Sequence, residues 1–455
     1  MIRNLVTAWS IPEVRARILY VLQMMALFIL GLHVPVPGVN LDRLEQLIQS
    51  NDILNLFDTF SGSALRRFTI FALGITPYIN ASIIMQLLTV AIPYFEQKQK
   101  EGESGRKEIA RYTRYGTVAL AIFQAVGLIS LLSNAGTGSS AIFIGGALTK
   151  VQVVLSLAAG TCFLLWIGES ITERGIGQGV SLVIFFSIMA RLPLDVANTW
   201  KEVSTNFPGS ILQVAALLAL FLGTVVGIIY VTGGTRRIPI QHARRQVGGR
   251  MVQAQSSFLP FKVNAAGVMP IIFAITIMMF PATIASYFNN PQQPNSFASQ
   301  FARGVMEWTT PPGKFHVASL IYAILILMFT YFYAAIQINI GDLTDNLKKA
   351  GSFVPGIRPG RPTQEYLDRV LTRITAAGAL FLAVIGLVQY YIPSITGIGT
   401  FSLVGGTSLL IVVGVALDTM LNLESHLVMR NYEGFIRQSG RRGARSSGMS
   451  GLSLR

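Results

Sequence analysis

The sequence is poor in charged residues and contains a single cysteine. Of its 455 residues, 13% are charged and 51% are hydrophobic, whereas about 25% charged residues is usual for a soluble domain. The only cysteine, Cys162, lies within a long apolar run, so neither an intramolecular disulfide nor a cysteine metal site is expected. The composition predicts a protein that crosses a membrane several times.

Signatures of nucleotide chemistry are also missing. The sequence contains no Gly-x-x-x-x-Gly-Lys-Ser/Thr phosphate loop, and the glycines at 175, 177 and 179 follow an apolar run and not a strand, which argues against a dinucleotide fingerprint. They fit a tight turn between two closely packed helices better. We therefore expect no catalytic residues, no cofactor and no bound metal. Any energy from nucleotide hydrolysis must therefore be supplied by a partner protein.

Ten apolar stretches have the length and hydrophobicity expected of membrane crossings. No segment between them is long enough to fold as a soluble domain with its own core. An even number of crossings places both termini on one side of the membrane. The predicted class is an all-α membrane protein with crossings at 18–34, 76–92, 115–133, 151–168, 177–192, 210–232, 264–284, 317–338, 374–392 and 402–422.

The distribution of basic residues orients these crossings. If the N-terminus is cytoplasmic, 28 of the 36 lysines and arginines lie on the cytoplasmic side, as the positive-inside rule requires. The first crossing lacks a small-residue cleavage site after it, so it is expected to remain as a helix. Both termini are therefore predicted to be cytoplasmic.

The residues that precede the second crossing form a broken helix. Residues 65–73 are apolar but are about half of the ~20 residues that a membrane helix needs, and they include Arg66 and Arg67. Thr76 is suited to capping a new helix and Pro77 to its first turn. Non-helical backbone at membrane depth survives only where protein or water surrounds it, so the break indicates a pore or a transport pathway.

Seven blocks along nearly the whole chain carry a family resemblance. They are 74–88 (GITPYINASIIMQLL), 102–106 (GESGR), 172–179 (TERGIGQG), 259–270 (LPFKVNAAGVMP), 345–349 (DNLKK), 353–360 (FVPGIRPG) and 405–413 (GGTSLLIVV). In this order they resemble the SecY family of bacterial protein-conducting channels.

The resemblance implies a fold of two pseudo-symmetric five-helix halves, 1–195 and 205–422, around a central hourglass pore, followed by a basic cytoplasmic tail at 423–455. The sequence itself has no residue-level repeat between the halves. Such a channel would pass unfolded secretory proteins across the cell inner (plasma) membrane and release hydrophobic segments sideways into lipid. Its implied partners are SecE and SecG, the ATPase SecA, the ribosome through its RNA, signal peptides, nascent chains and phospholipids.

The resemblance assigns a plug and a constriction to particular residues. The plug would be a half-helix at about 61–74 that closes the outer funnel; the alternative is a re-entrant segment that only packs. It would contain Ser61, Gly62, Ala64, Leu65, Arg66 and Phe68. The constriction ring would consist of Ile75, Ile79, Val180, Ile184, Ile272 and Ile411.

Branched aliphatic side chains suit such a ring because a narrow apolar collar resists wetting and forms no specific bond with a passing chain. Ile75 and Ile79, like Val180 and Ile184, are four residues apart and so share a helix face. Val180 stands where the family usually has isoleucine. Taken singly, each of these residues is more often explained by ordinary core or lipid-facing packing, and only the family resemblance favours the ring.

The resemblance further places a lateral gate between the second and seventh crossings, with Ser82 and Gln86 on one side and Asn264 and Phe280 on the other. Amides are costly at membrane depth unless they are hydrogen-bonded. A polar contact shared by Gln86 and Asn264, broken on opening, is one interpretation, and ordinary interhelical bonding is the other.

Two cytoplasmic loops, 233–263 and 339–373, are expected to project together and to carry the docking surface for SecA and the ribosome. The first loop has no acidic residue, and ribosomal RNA presents a dense phosphate target. Positive-inside charge alone accounts for part of this excess, and Gly249 replaces an arginine common in the family. The assigned residues are Arg236, Arg237, Arg244, Arg245, Arg250, Lys348, Lys349 and Arg358.

Two other function classes remain as alternatives. A secondary transporter for a small solute would need a carboxylate near the membrane midplane, but Glu169 and Asp418 lie near the cytoplasmic ends of their crossings. A scaffold that only recruits ribosomes would leave the broken helix without an explanation. A passive channel for unfolded chains agrees best with the sequence.

Overall fold

The computed structural model describes residues 9, 11–50, 58, 61–135, 143, 146–205, 211–242, 246–247, 250–251, 256–288, 296–309, 317–396, 407–425 and 427. Long helices dominate this part of the chain. They are α1 (Pro12–Gly31), α2 (Leu41–Ser50), α3 (Thr76–Ala91), α4 (Pro93–Lys100), α5 (Glu103–Ala135), α6 (Ala147–Arg174), α7 (Gly179–Thr205), α8 (Ile211–Gly233), α9 (Met269–Phe288), α10 (Phe297–Thr309), α11 (Val317–Gln337), α12 (Ile340–Lys349), α13 (Arg361–Thr396) and α14 (Thr407–Ser425).

A helix lies at each of the ten predicted crossings, namely α1, α3, α5 to α9, α11, α13 and α14. Within the described residues, seven helices are by length and composition able to cross a membrane, and α3 bends by 97° into α4 to give one further broken span. The predicted all-α membrane class is confirmed.

Several helices differ from their prediction at one end or both. The helix α9 begins at Met269, so Asn264 lies in the turns before it and not in the predicted helix. The helix α3 begins at Thr76 with Pro77 in its first turn, but Ile75 holds the capping position and no side chain bonds to the free N–H groups there. The helix α7 continues through Pro193 to Thr205, well beyond the predicted end at 192. An ion pair between Arg191 and Asp195, one turn apart, supports the helix across this proline.

The loops 233–263 and 339–373 form a small β-sheet that was not predicted. Its strands are β1 (Thr235–His242), β4 (Ser256–Lys262) and β5 (Ser352–Phe353), and β2 (Gln246–Val247) pairs with β3 (Arg250–Met251). The strand β1 lies between β4 and β5 and is antiparallel to both. Since β5 comes from the second loop, the two loops lie together, as expected.

One face of β1 is buried, and this burial holds the sheet against the neighbouring helices. Ile238 and Ile240 are buried, whereas Arg237, Pro239 and Gln241 on the opposite face are exposed, as expected for a strand with one face on a core. Arg236, near the start of the strand, is exposed as well. The buried face packs on apolar residues of α12 and α13, among them Leu367 and Leu371. The arginines are thereby presented on a rigid element.

The helices pack in two main groups. The helices α1, α3, α5, α6 and α7 contact one another, and α9 contacts α11 and α13, with α8 also against α13. One apolar core contains residues of α1, α3, α6 and α7 together with Ile272 of α9 and Ile411 of α14. A second core lies among α8, α9, α11, α13 and α14 and reaches α3 at Ile83.

Candidate functional site

The six residues predicted to form the ring lie in a single apolar cluster. Ile75, Ile184, Ile272 and Ile411 are buried within it, and Ile79 and Val180 are partly buried against it. They come from α3 or its first turn, α7, α9 and α14, which belong to both groups of helices. The sequence spacing predicted only that two residues share a face on α3 and two on α7. The fold brings the four helices together.

A cavity of about 390 Å3 adjoins this cluster. Three of the six residues, Ile184, Ile272 and Ile411, form part of its wall. Farther along, the wall becomes mixed and includes polar side chains and residues of β4. The polar members are Gln178, Ser181, Thr232, Lys262, Asn264, Gln337 and Asp418. The apolar cluster thus lies beside a space that holds water-sized molecules and that leads toward the β-sheet.

The segment predicted as the plug, residues 61–74, is buried but is not a helix. Its backbone forms successive turns, with bonds such as Phe68 N–H to the Leu65 carbonyl oxygen at 3.0 Å and Gly74 N–H to the Phe71 oxygen at 2.7 Å. The prediction of a half-helix is therefore wrong. Backbone hydrogen bonds to other parts of the chain, such as Val36 N–H to the Phe68 oxygen at 2.8 Å, compete with helix formation.

Close packing holds this segment among the helices. Ser61, Gly62, Ala64, Leu65 and Phe68 are all buried, whereas Arg66 is partly buried. A Cβ atom at Gly160 of α6 would lie 1.8 Å from the backbone oxygen of Ile70, and one at Gly62 would lie 2.7 Å from that of Ser187 on α7. Only glycine permits these approaches of backbone to backbone.

A charged cluster lies at the start of the same segment. The carboxylate of Asp58 is fully buried and lies 3.4 Å from the Arg191 guanidinium and 3.7 Å from that of Arg66. Arg191 also contacts Asp195 at 3.2 Å. Burial raises the pKa of the Asp58 carboxyl, while Arg191 and Arg66 lower it. Sequence reasoning missed this cluster, although the spacing of Arg191 and Asp195 by four residues in a helix was a signal for an ion pair.

The gate residues do not make the shared polar contact that was one interpretation of the sequence. The Gln86 side-chain nitrogen donates to Ser82 Oγ on its own helix at 3.3 Å. Among the described residues, Gln86 Oε1 and Asn264 Oδ1 are buried and have no hydrogen-bond partner. Gln86 lines a separate cavity of about 310 Å3, and Asn264 lines the cavity beside the ring. Phe280 on α9 is half exposed.

The basic residues of the predicted docking surface are solvent-exposed where the structure describes their side chains. Arg236 and Arg237 lie on β1, Lys348 and Lys349 at the end of α12, and Arg358 follows the turn at Gly356. Arg250 lies in β3. Arg244 and Arg245 fall outside the described residues. The sheet and α12 thus bring five exposed basic residues onto one projecting unit.

Comparison with known proteins agrees with this architecture. The family model for SecY matches residues 69–420. A protein translocase subunit SecY from Synechocystis sp. is 42% identical over 426 residues, which cover 93% of this chain and 94% of the relative.

Two solved structures resemble the fold over 93% of this chain and 96% of theirs. One is titled "The structure of a protein conducting channel", with a TM-score of 0.65 and 17% identity. The other is Sec61 in a canine ribosome-channel complex from the endoplasmic reticulum, with a TM-score of 0.62 and 16% identity. The fold is that of a protein-conducting membrane channel. The family match and the identity to its members establish that the chain belongs to the SecY family.

Proposed function

We propose that this chain forms the channel through which unfolded secretory proteins cross the membrane, and from which hydrophobic segments leave sideways into lipid. The observation that carries the proposal is that six aliphatic side chains from four helices meet in one apolar cluster, beside a cavity of about 390 Å3. An apolar collar at the narrowest point excludes ions and forms no bond that would hold a passing chain.

The plug segment supports a closed resting state in this proposal. Residues 61–74 lie among α1, α6 and α7 and join directly to Ile75 of the ring. Chain passage would require this segment to move aside. Because its turns are held by packing against neighbours and not by a regular helix, it can leave without unwinding a membrane helix.

Sideways release is assigned to the boundary between α3 and α9. Ile83 of α3 packs into the core that contains Ile271 and Phe273 of α9, so the boundary is largely apolar. The buried side-chain oxygens of Gln86 on α3 and of Asn264, in the turns just before α9, have no hydrogen-bond partner among the described residues. Neither oxygen therefore supplies a polar bond that opening would have to break. Phospholipid and the hydrophobic part of a signal peptide are its proposed ligands.

The membrane placement and the domain division follow from charge and family membership. The cell inner (plasma) membrane with both termini cytoplasmic agrees with 28 of 36 basic residues on that side. The two halves would be 1–195 and 205–422, with the tail 423–455 in the cytoplasm.

The projecting sheet is the proposed docking surface for SecA and for ribosomal RNA. Exposed arginines on a rigid strand suit a phosphate-rich or acidic partner, and the Sec61 relative was solved in a ribosome-channel complex. SecE and SecG are the proposed membrane partners. In this scheme the chain is not itself an enzyme, and the energy comes from SecA or from translation.

Reconstitution tests the function directly. Vesicles that contain the chain with SecE and SecG would be supplied with SecA, ATP and a secretory precursor, and protease protection of the precursor would be measured. We expect protection that depends on the chain and on ATP. Uptake of small solutes driven by a proton or sodium gradient, with no protected precursor, would instead support the secondary transporter and contradict the channel.

A further inference from the structure

A charged cluster lies just before the plug segment, and three of its four members, all except the partly buried Arg66, are almost completely removed from solvent. Asp58 is 0% exposed, and Arg191 and Asp195 are each 4% exposed. Arg191 Nη1 lies 3.4 Å from Asp58 Oδ2, and Arg191 Nε lies 3.2 Å from Asp195 Oδ1. Buried charges persist in proteins only when they are paired. The pairing of Asp58 with α7 is therefore a specific contact and not a surface ion pair.

Asp58 also organises the turns that follow it. Its backbone oxygen accepts the Ser63 N–H at 2.9 Å and the Ser61 hydroxyl at 3.1 Å. Its carboxylate Oδ1 accepts the Arg66 N–H at 2.9 Å. One carboxylate oxygen thus fixes the plug backbone while the other faces Arg191. A displacement of Asp58 would move the plug turns with it.

The plug backbone is strained and needs contacts that hold it. Ser63 has a φ of 64° and Phe68 a φ of 43°, in the left-handed region that a bulky side chain rarely adopts. Such conformations persist where surrounding contacts over-determine them. The contacts at this end of the segment include the Gly62 approach to Ser187 and the ion pair from Asp58 to Arg191, both on α7. Arg66 also lies 3.7 Å from Asp58 and 3.9 Å from Glu45 of α2.

The same helix carries part of the ring. Val180 and Ile184 lie on α7, about two to three turns before Arg191. A movement of α7 that widens the ring therefore also pulls on the Asp58 contact. The geometry connects the two closures of the proposed channel through one rigid element.

We propose that Arg191 is a positioning residue that holds the plug segment against α7 through its buried ion pair with Asp58, and that Asp195 orients its guanidinium for this contact. The plug then leaves when α7 moves and the pair separates. This inference rests on the proposed channel function, because it gives the plug segment a gating role.

Thiol labelling measures plug release in the complete protein. Ala64 is fully buried, so a cysteine at this position, in a Cys162→Ala background, reports the open plug. Vesicles that contain this parent with SecE and SecG would be treated with a water-soluble maleimide, and the labelling rate would be followed. Removal of one partner of a buried ion pair is strongly destabilising, so we expect Arg191→Met to raise the rate at least about a hundredfold.

Three variants separate the contact from a general defect. Arg191→Lys keeps a cation near Asp58 and is expected to label far more slowly than Arg191→Met. Lys201→Met removes an exposed cation from the same helix and should label at the parent rate. The triple variant Asp58→Asn, Arg191→Met, Asp195→Asn leaves no unpaired charge at these positions, so it should fold even if Arg191→Met does not, yet label rapidly because the contact is gone.

Parent-like labelling of the Arg191→Met protein, or of the triple variant where the single variant does not accumulate, would overturn the proposal. So would equal acceleration by Lys201→Met. Protease protection of a precursor in the parent vesicles tests the channel separately. Vesicles that do not translocate, but in which the labelling rates follow the expected order, would contradict the channel function while retaining the Arg191 contact.

Discussion

The proposed pore is closed at two places that differ in chemistry. At the ring, six aliphatic side chains meet in one apolar cluster, and no charge or hydrogen bond is assigned to the closure. At the plug, buried turns with strained residues are tied to α7 by an ion pair and by close backbone contact. The ring is closed by apolar contacts that do not depend on particular polar groups, whereas the plug is held by contacts between particular groups.

The difference follows from what each closure must do. A collar that meets every passing chain must not bind any of them, and dispersion and dewetting do not depend on the sequence that passes. A plug must return to one position, and buried ion pairs and glycine-dependent contacts specify position because their energy falls steeply with misplacement. The first two of the following predictions each disturb one closure, and the other two concern surfaces outside both closures.

The largest expected effect is on ion tightness at the ring. Replacement by serine of four ring residues, Ile79, Ile184, Ile272 and Ile411, should let water occupy the collar. We expect the resting conductance in planar bilayers to rise about tenfold or more. The control carries four serines at exposed apolar positions of other helix faces, Ile84, Leu155, Ile229 and Ile324, and should stay at background. Background conductance in the correctly inserted ring variant would refute the ring assignment.

The second largest effect is expected on the stability of the protein, at the place where the plug segment approaches α6. A Cβ at Gly160 would lie 1.8 Å from the Ile70 oxygen, so Gly160→Ala must displace the plug backbone and should lower the free energy of unfolding by about 3 kcal/mol. The thermal unfolding midpoint of the purified protein measures this change. Gly116→Ala is the matched control, since its nearest neighbour is Ala81 Cβ at 3.5 Å. Equal midpoints for the two variants would contradict the close contact.

The docking surface should respond to charge without any change in either closure. Arg358 is exposed beside the turn at Gly356, and Arg358→Glu turns attraction to an acidic or phosphate-rich partner into repulsion. We expect SecA-driven export to fall about tenfold, with normal insertion, because the cytoplasmic side keeps its basic excess. Lys107→Glu, at an exposed residue of α5 paired with Glu103, serves as the control. An export rate equal to that of the parent would make Arg358 a topology charge only.

The smallest effect concerns the boundary between α3 and α9. Since Gln86 and Asn264 make no mutual bond, Gln86→Leu and Asn264→Leu should have additive effects on the free energy of unfolding, within about 0.5 kcal/mol. Ser82→Ala with Gln86→Leu removes an observed bond of 3.3 Å and should show a coupling of about 0.5–1 kcal/mol. Both double-mutant cycles can be measured by titration with a denaturing detergent. A clear coupling between Gln86 and Asn264 would restore the shared polar contact.

The sequence predicted much of this fold because membranes impose simple rules on helices. Apolar runs of sufficient length located all ten helices, and Pro77 marked the start of α3. The same rules failed for α7, because polar residues after 192 suggested a loop, whereas the Arg191–Asp195 pair extends the helix. They also missed the sheet, since β1 and β5 are separated by more than a hundred residues and pair only in the folded protein.

By itself, the sequence determined the membrane class, the excess of basic residues on one side and the family to which the chain belongs, because length, hydropathy and contiguous motifs are local properties. Only the tertiary structure decided that the plug is a set of turns and not a half-helix, that Gln86 bonds to Ser82, and that Asp58 meets Arg191. Each of these depends on which distant groups compete for a backbone or side-chain partner. That competition is settled when the helices pack and water is excluded from between them.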